Sequence, residues 1–114
     1  MEDLLISTLE TFGYPVMLQG SLLPNEPYPD DFFTFWNTGS SDGTHYDNAA
    51  VSVLYSYEVN FYSSNPANVY DILRDAITRL RAAGFVISGD GYSVASDEPT
   101  HDGRGVDVEC LRRL

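Results

Sequence analysis

The sequence predicts an α+β fold, a largely antiparallel sheet with two helices packed on one face and a long hairpin loop. Three observations lead there. Val51, Val53, Tyr55, Tyr57, Val59 and Phe61 alternate with Ser52, Leu54, Ser56, Glu58, Asn60 and Tyr62, the period of a strand. Val69, Ile72, Leu73, Ala76, Ile77, Leu80 and Ala83 recur at helical spacing. The order along the chain is helix, strands, helix, strands, which sets the helices against one face of a largely antiparallel sheet. The 114 residues fit one domain, residues 1–114.

In order, residues 2–12 place Leu5, Thr8, Leu9 and Phe12 on one face of a short helix that Gly13 stops. Residues 14–20 suit a short strand, with Pro15 at its first position or on a sheet edge. Pro24, Pro27 and Pro29 remove three backbone donors and make residues 23–31 a loop of fixed shape. Residues 32–37 read as a strand with Phe33 and Phe35 on one face and Phe32, Thr34 and Trp36 on the other, both faces covered. Residues 38–48 are polar and turn-rich, the extended tip of a hairpin. The strand 51–62 spans about 40 Å at about 3.3 Å per residue, enough to project beyond a small sheet.

Asn65 caps the second helix, Pro66 occupies its first turn, and Gly84 ends it. Asp71 near its start and Arg79 and Arg81 near its end complement the helix dipole. Residues 85–88 read as a strand, 89–91 as a turn, 92–94 as a return strand and 95–105 as a loop. The last strand is 106–111, with Val106, Val108 and Cys110 on one face.

Charge is the unusual bulk property: 17 acidic residues against six basic ones, net −11. All six basic residues are arginine, and none precedes Arg74. Such a chain is poorly suited to bind nucleic acid, whose phosphates call for clustered Lys or Arg. The acidity suits a surface that repels passing DNA, or one that imitates it, and its plainer use is solubility. The first residues lack the pattern of a signal peptide, and no run approaches the roughly 18 apolar residues of a membrane span. Synthesis and residence in a cytoplasm, without a membrane, is the expectation.

Catalytic signals are weak. His45 with Asp47 and His101 with Asp102 each put an imidazole near a carboxylate, but at no recognised metal-site spacing. Cys110, in an apolar strand, lacks the electropositive setting that makes a thiolate. The glycines of 89–91 and 103–105 have no phosphate-loop spacing and read as hairpin turns. The pairs Asp30–Asp31 and Asp97–Glu98 are ordinary solvated loop carboxylates before they are an acid and base. The expectation is no enzyme, no metal and no cofactor.

Three stretches carry a family likeness: Tyr28-Pro29-Asp30-Asp31-Phe32-Phe33-Thr34-Phe35-Trp36-Asn37, His45-Tyr46-Asp47-Asn48, and Ser96-Asp97-Glu98-Pro99-Thr100-His101-Asp102-Gly103-Arg104-Gly105. With the Asn65-Pro66 helix start between them, the chain resembles the tail-terminator or tail-completion (head-tail joining) proteins of long-tailed bacteriophages and prophages. The resemblance implies a virion structural protein: an oligomeric ring, a hexamer, that caps the tail tube and joins it to the head connector. Its partners would be its own copies, the tail tube protein and the head-completion protein, with DNA passing unbound. It would reside at the head-tail junction after assembly in the host cytoplasm.

In that setting a lysine-free, acidic first part suits a lumen lining, and the arginines suit contacts with a neighbour's acids. Trp36, His45, Tyr46, Arg74, Arg79, Arg81, His101 and Arg104 are the candidate interface residues, with 38–48 and 95–105 as docking loops. Phe33 and Phe35 are expected in the core instead. The alternative is an acidic DNA-mimic inhibitor of the anti-restriction type, which predicts carboxylates spaced like phosphates along one exposed face. An enzyme using His45 and His101 is a further one, discriminated by retained metal or by the effect of replacing both histidines.

Overall fold

The computed structural model of the chain describes residues 2–18, 29–46, 49–87, 89, 91–94 and 100–113, without the side chains of 2, 40–46, 49–52 and 112–113. In chain order the elements are α1 (Glu2–Glu10), β1 (Val16–Leu18), β2 (Asp31–Tyr46), β3 (Ala49–Ser63), α2 (Pro66–Ala82), β4 (Val86–Ile87), β5 (Tyr92–Val94) and β6 (Asp102–Arg113). The six strands form one sheet in the order β1-β2-β3-β6-β4, with β5 also on β6. Among the described strands, only the β1–β2 pair is parallel. The α+β class expected from the sequence is the fold observed.

Both helices pack on one face. Leu5 and Leu9 of α1 and Leu73, Ala76, Ile77 and Leu80 of α2 meet Phe33, Phe35, Tyr57, Val59, Phe61, Val106, Val108 and Cys110 of the sheet. Each fully buried Leu or Phe contributes roughly 1.5–3 kcal/mol by leaving water. Phe33 stacks obliquely on Phe61 with centroids 4.7 Å apart, and the pair forms the centre of the core. Helix α2 begins where the sequence marks it: Asn65 Oδ1 accepts from the Ala67 amide at 3.1 Å, and Pro66 fills the first turn. It ends in a Schellman turn, with Gly84 N–H donating to Arg81 O and Phe85 N–H to Leu80 O. Gly84 adopts φ +105°, which an L side chain resists. Arg79 and Arg81 lie in the last turn, whereas Asp71 falls past the first turn and leaves the N-terminus without an acid.

Three boundaries differ from the sequence expectation. Residues 38–46 are strand and not loop, because β3 opposite them supplies a ladder that their own composition does not favour. Register shifts between Asn37 and Gly39, between Asp42 and Thr44, and between Thr44 and His45 absorb the mismatch as bulges. Residues 102–105 are also strand, paired with Ser63 to Asn60 on one side and, at 103–105, with β5 on the other. The first helix stops at Glu10, and Phe12 and Gly13 turn back to hydrogen-bond Leu9 and Glu10. The expected loop over 23–28, the turn at Asp47–Asn48, and 95–99 with Asp97 and Glu98 lie outside the described residues.

On the face away from the helices, cross-strand rows follow from the register. Phe32, Tyr62 and Gly103 form one row, Thr34, Asn60 and Gly105 the next, and Trp36, Glu58 and Asp107 the third. Phe32, Tyr62, Thr34 and Asn60 are buried, whereas Trp36 is 46% exposed. The expectation of cover on both faces thus holds for Phe32 and Thr34 and fails at Trp36. Beyond Tyr55 and Cys110, the last described residues of β3 and β6 that reach the core, β2, β3 and β6 run on as a three-stranded ribbon, in a molecule 53 × 28 × 22 Å across. Among the described residues, nothing pairs with the outer edge of β2 after Phe35.

Candidate functional site

Two surfaces gather charged and aromatic side chains. The first lies on the helix side. Tyr70, Arg74, Ile77, Thr78 and Arg81 recur along one stripe of α2, and Arg104 reaches the same place from β6. Together they line a cleft of about 380 Å³. Arg81 Nη2 donates to the Ile87 carbonyl at 2.8 Å, and Arg104 Nη2 donates to the Gly91 carbonyl at 3.1 Å. Both guanidinium groups are therefore held in place by backbone carbonyls, of Ile87 and of Gly91. Each Arg has five N–H donors, more than these carbonyl contacts use for Arg81. The Arg104 guanidinium also lies 4.6 Å from the Tyr70 ring centroid. Arg74, with a side chain 73% exposed, meets Asp71 at 3.5 Å, an exposed pair that contributes little.

Arg79 is elsewhere. Its Nη1 donates to Thr11 Oγ1 at 2.7 Å and its guanidinium sits 4.0 Å from the Phe12 ring centroid, so it ties α2 to the end of α1. The structure brings together three of the four arginines singled out in the sequence and separates the fourth.

The second surface is the third row of the far sheet face. Trp36 Nε1–H donates to Glu58 Oε2. Tyr92 on β5 lies with its hydroxyl 3.2 Å from Glu58 Oε1 and 3.0 Å from Asp107 Oδ1. The single phenolic proton serves two carboxylates. Partial burial of the ring, the hydrogen bond with Asp107 and the negative charge of Glu58 together push Tyr92 well above the usual tyrosine range. Glu109 continues the acidic row along β6, two residues on and on the same face.

Glu58, Tyr92 and Asp107 were not among the sequence candidates. Alternation places Glu58 opposite the core-facing residues of its strand, but only the pairing of β3 with β6 and of β5 with β6 brings the three together. That pairing is set by long-range register and has no local signature.

The remaining candidates are placed as follows. His101 is buried, its Nε2 2.7 Å from the Pro29 carbonyl and its Nδ1 3.0 Å from Thr100 Oγ1. A carbonyl only accepts, so Nε2 carries the proton, and the ring joins the start of β6 to the approach of β2. His45 and Tyr46 belong to the end of β2, paired with Ala50 and Ala49, and their side chains lie outside the described residues. Cys110 is buried on the core face of β6. Asp31 accepts a hydrogen bond from Ser63 Oγ, which in turn accepts from the Asn65 amide, so this carboxylate supports the entry to α2. Among the described residues, no group of three or more His, Cys, Asp or Glu is placed to hold a metal ion. No helix among them is long and apolar enough to cross a membrane.

No protein-family model matches the chain, and no curated protein matches it in sequence.

Proposed function

We propose that this chain is a virion structural protein without catalytic activity, a subunit of the ring that terminates a phage tail and joins it to the head. The observation that carries the reading is the three-stranded ribbon of β2, β3 and β6. It extends past the helix layer, and the edge of β2 beyond Phe35 has no partner among the described residues. A lone subunit leaves such an edge as a template for association. Neighbouring copies or the tail tube would meet it there.

Two further features support the reading. Within the described residues, the stretches that resemble tail-terminator and tail-completion proteins lie at the two ends of β2, the start of α2 and the start of β6. Net charge of −11 suits a ring through which DNA passes, because fixed negative charge keeps the polyanion from adhering. In this reading copies of the chain, the tail tube protein and a head-connector protein are the partners, and the mature location is the head-tail junction.

Disruption of the gene in the phage or prophage that carries it, followed by negative-stain electron microscopy of the lysate, tests this. Filled heads beside unattached or overlong tails are the expected result. Normal tailed particles would remove the assignment.

A further inference from the structure

We infer that the arginine cleft of one subunit receives the carboxylate row of a second copy, so that subunits join head to tail, helix side against far sheet face. The inference deepens the ring reading and rests on it only for closure into a ring.

Charge restricts how two copies meet. Each carries −11, so most approaches are repulsive. The attractive approach sets arginines against acids. Among the described side chains, the cleft is where arginines converge, with Arg74, Arg81 and Arg104 on its wall. The partner surface must therefore be acidic, and this chain has one that is already ordered: Glu58 and Asp107, held by Trp36 and Tyr92.

Both surfaces are built before contact. The carbonyls of Ile87 and Gly91 fix two of the guanidinium groups, which lowers the ordering cost of association. Arginine forks match carboxylates in geometry as well as charge. Exposed aromatic residues stand on each side, Tyr70 at 61% beside the cleft and Trp36 and Tyr92 at 46% and 38% in the row. Such residues act as anchors when an interface closes over them. The two surfaces lie on opposite faces of the sheet, so the contact is heterologous and leaves each subunit a free cleft and a free row for further copies.

The test is sedimentation equilibrium of the full chain, with Arg74→Glu and Asp107→Arg, both exposed positions. Thermal melts check that each variant is folded. The wild type is expected to self-associate at about 0.1 M salt and to weaken at about 1 M, where the Debye length falls from about 10 Å to about 3 Å. Each variant alone is expected to associate at least about tenfold more weakly. Their equimolar mixture is expected to regain association, because Asp107→Arg keeps an intact cleft and Arg74→Glu keeps an intact row.

A wild type that stays monomeric overturns the inference, as do variants that associate like the wild type or a mixture that gains nothing. Inorganic phosphate is titrated in parallel against the monomer by NMR. Saturable shifts at Arg74 and Arg81 in a protein that does not self-associate would assign the cleft to a phosphate-bearing ligand, and the second copy would be excluded. Self-association through some other surface removes this inference and leaves the ring reading standing. Normal particles after gene disruption remove the ring reading, and the contact between copies stays decided by sedimentation.

Discussion

At the residue scale, Gly103 and Gly105 teach the most. In sequence, Gly103-Arg104-Gly105 looks like a turn, yet both glycines sit within β6, paired on each side. Their reason is steric. A Cβ on Gly105 would stand 2.0 Å from Asn60 Oδ1, and one on Gly103 would stand 2.6 Å from the Tyr62 ring. Asn60 is only 4% exposed, so it has little room to yield. Gly105→Ala should therefore lower the unfolding free energy by about 1–3 kcal/mol in urea titration. A loss of a few tenths would show that Asn60 swings aside. Tyr92 gives a second prediction. Its folded-state ionisation is raised, so the proton favours the fold. That contribution is complete below the ordinary tyrosine value of about 10 and is lost as pH climbs beyond it. The stability of the wild type should fall more steeply above that pH than the stability of Tyr92→Phe. Parallel pH profiles of the urea midpoint would detect the difference, and superimposed profiles would refute it. The glycine and tyrosine roles are invisible in sequence because each depends on what a different strand sets opposite.

At the element scale, legibility follows how local the signal is. Helix α2 is set by residues within a few positions: Asn65 and Pro66 at the start, the apolar stripe from Val69 to Leu80, Gly84 at the end. All of these are readable without a structure. The far end of β2 and the start of β6 are not. Gly39, Ser40, Ser41, Asp42 and Gly43 have low strand preference, and they are extended because β3 holds them. The arginine cleft shows both cases, since five of its residues follow helical spacing along α2 while Arg104 arrives through the β3–β6 register. The cap offers a direct check on the local half of the argument. Asn65→Ala removes the acceptor for the Ala67 amide and should cost about 1 kcal/mol of stability by thermal or chemical denaturation, while Asn65→Asp or Asn65→Ser should cost little. Equal losses for all three would mean that the Ser63 and Asp31 hydrogen bonds, and not the cap, hold the helix entry.

At the scale of the whole molecule, the deciding quantity is the distribution of charge. Six arginines against 17 acids are far too few to release counterions along a duplex. Three of the six line a cleft of about 380 Å³, and no extended basic stripe tracks a phosphate backbone among the described side chains. The acids also flank the exposed aromatics, with Glu58 and Asp107 beside Trp36 and Tyr92, so base stacking on these rings would bring phosphates against carboxylates. The purified chain should therefore leave duplex and single-stranded DNA unretarded in a gel-shift experiment even at about 0.05 M salt, where non-specific binding is strongest. Retardation that weakens linearly in log salt would reveal phosphate contacts and would count against the proposed passage of DNA. The same experiment on Glu58→Gln/Asp107→Asn separates two sources of the exclusion. If DNA stays unbound, the repulsion belongs to the net charge of the whole chain. If binding appears, the carboxylate row itself keeps the polyanion away from this face of the isolated subunit.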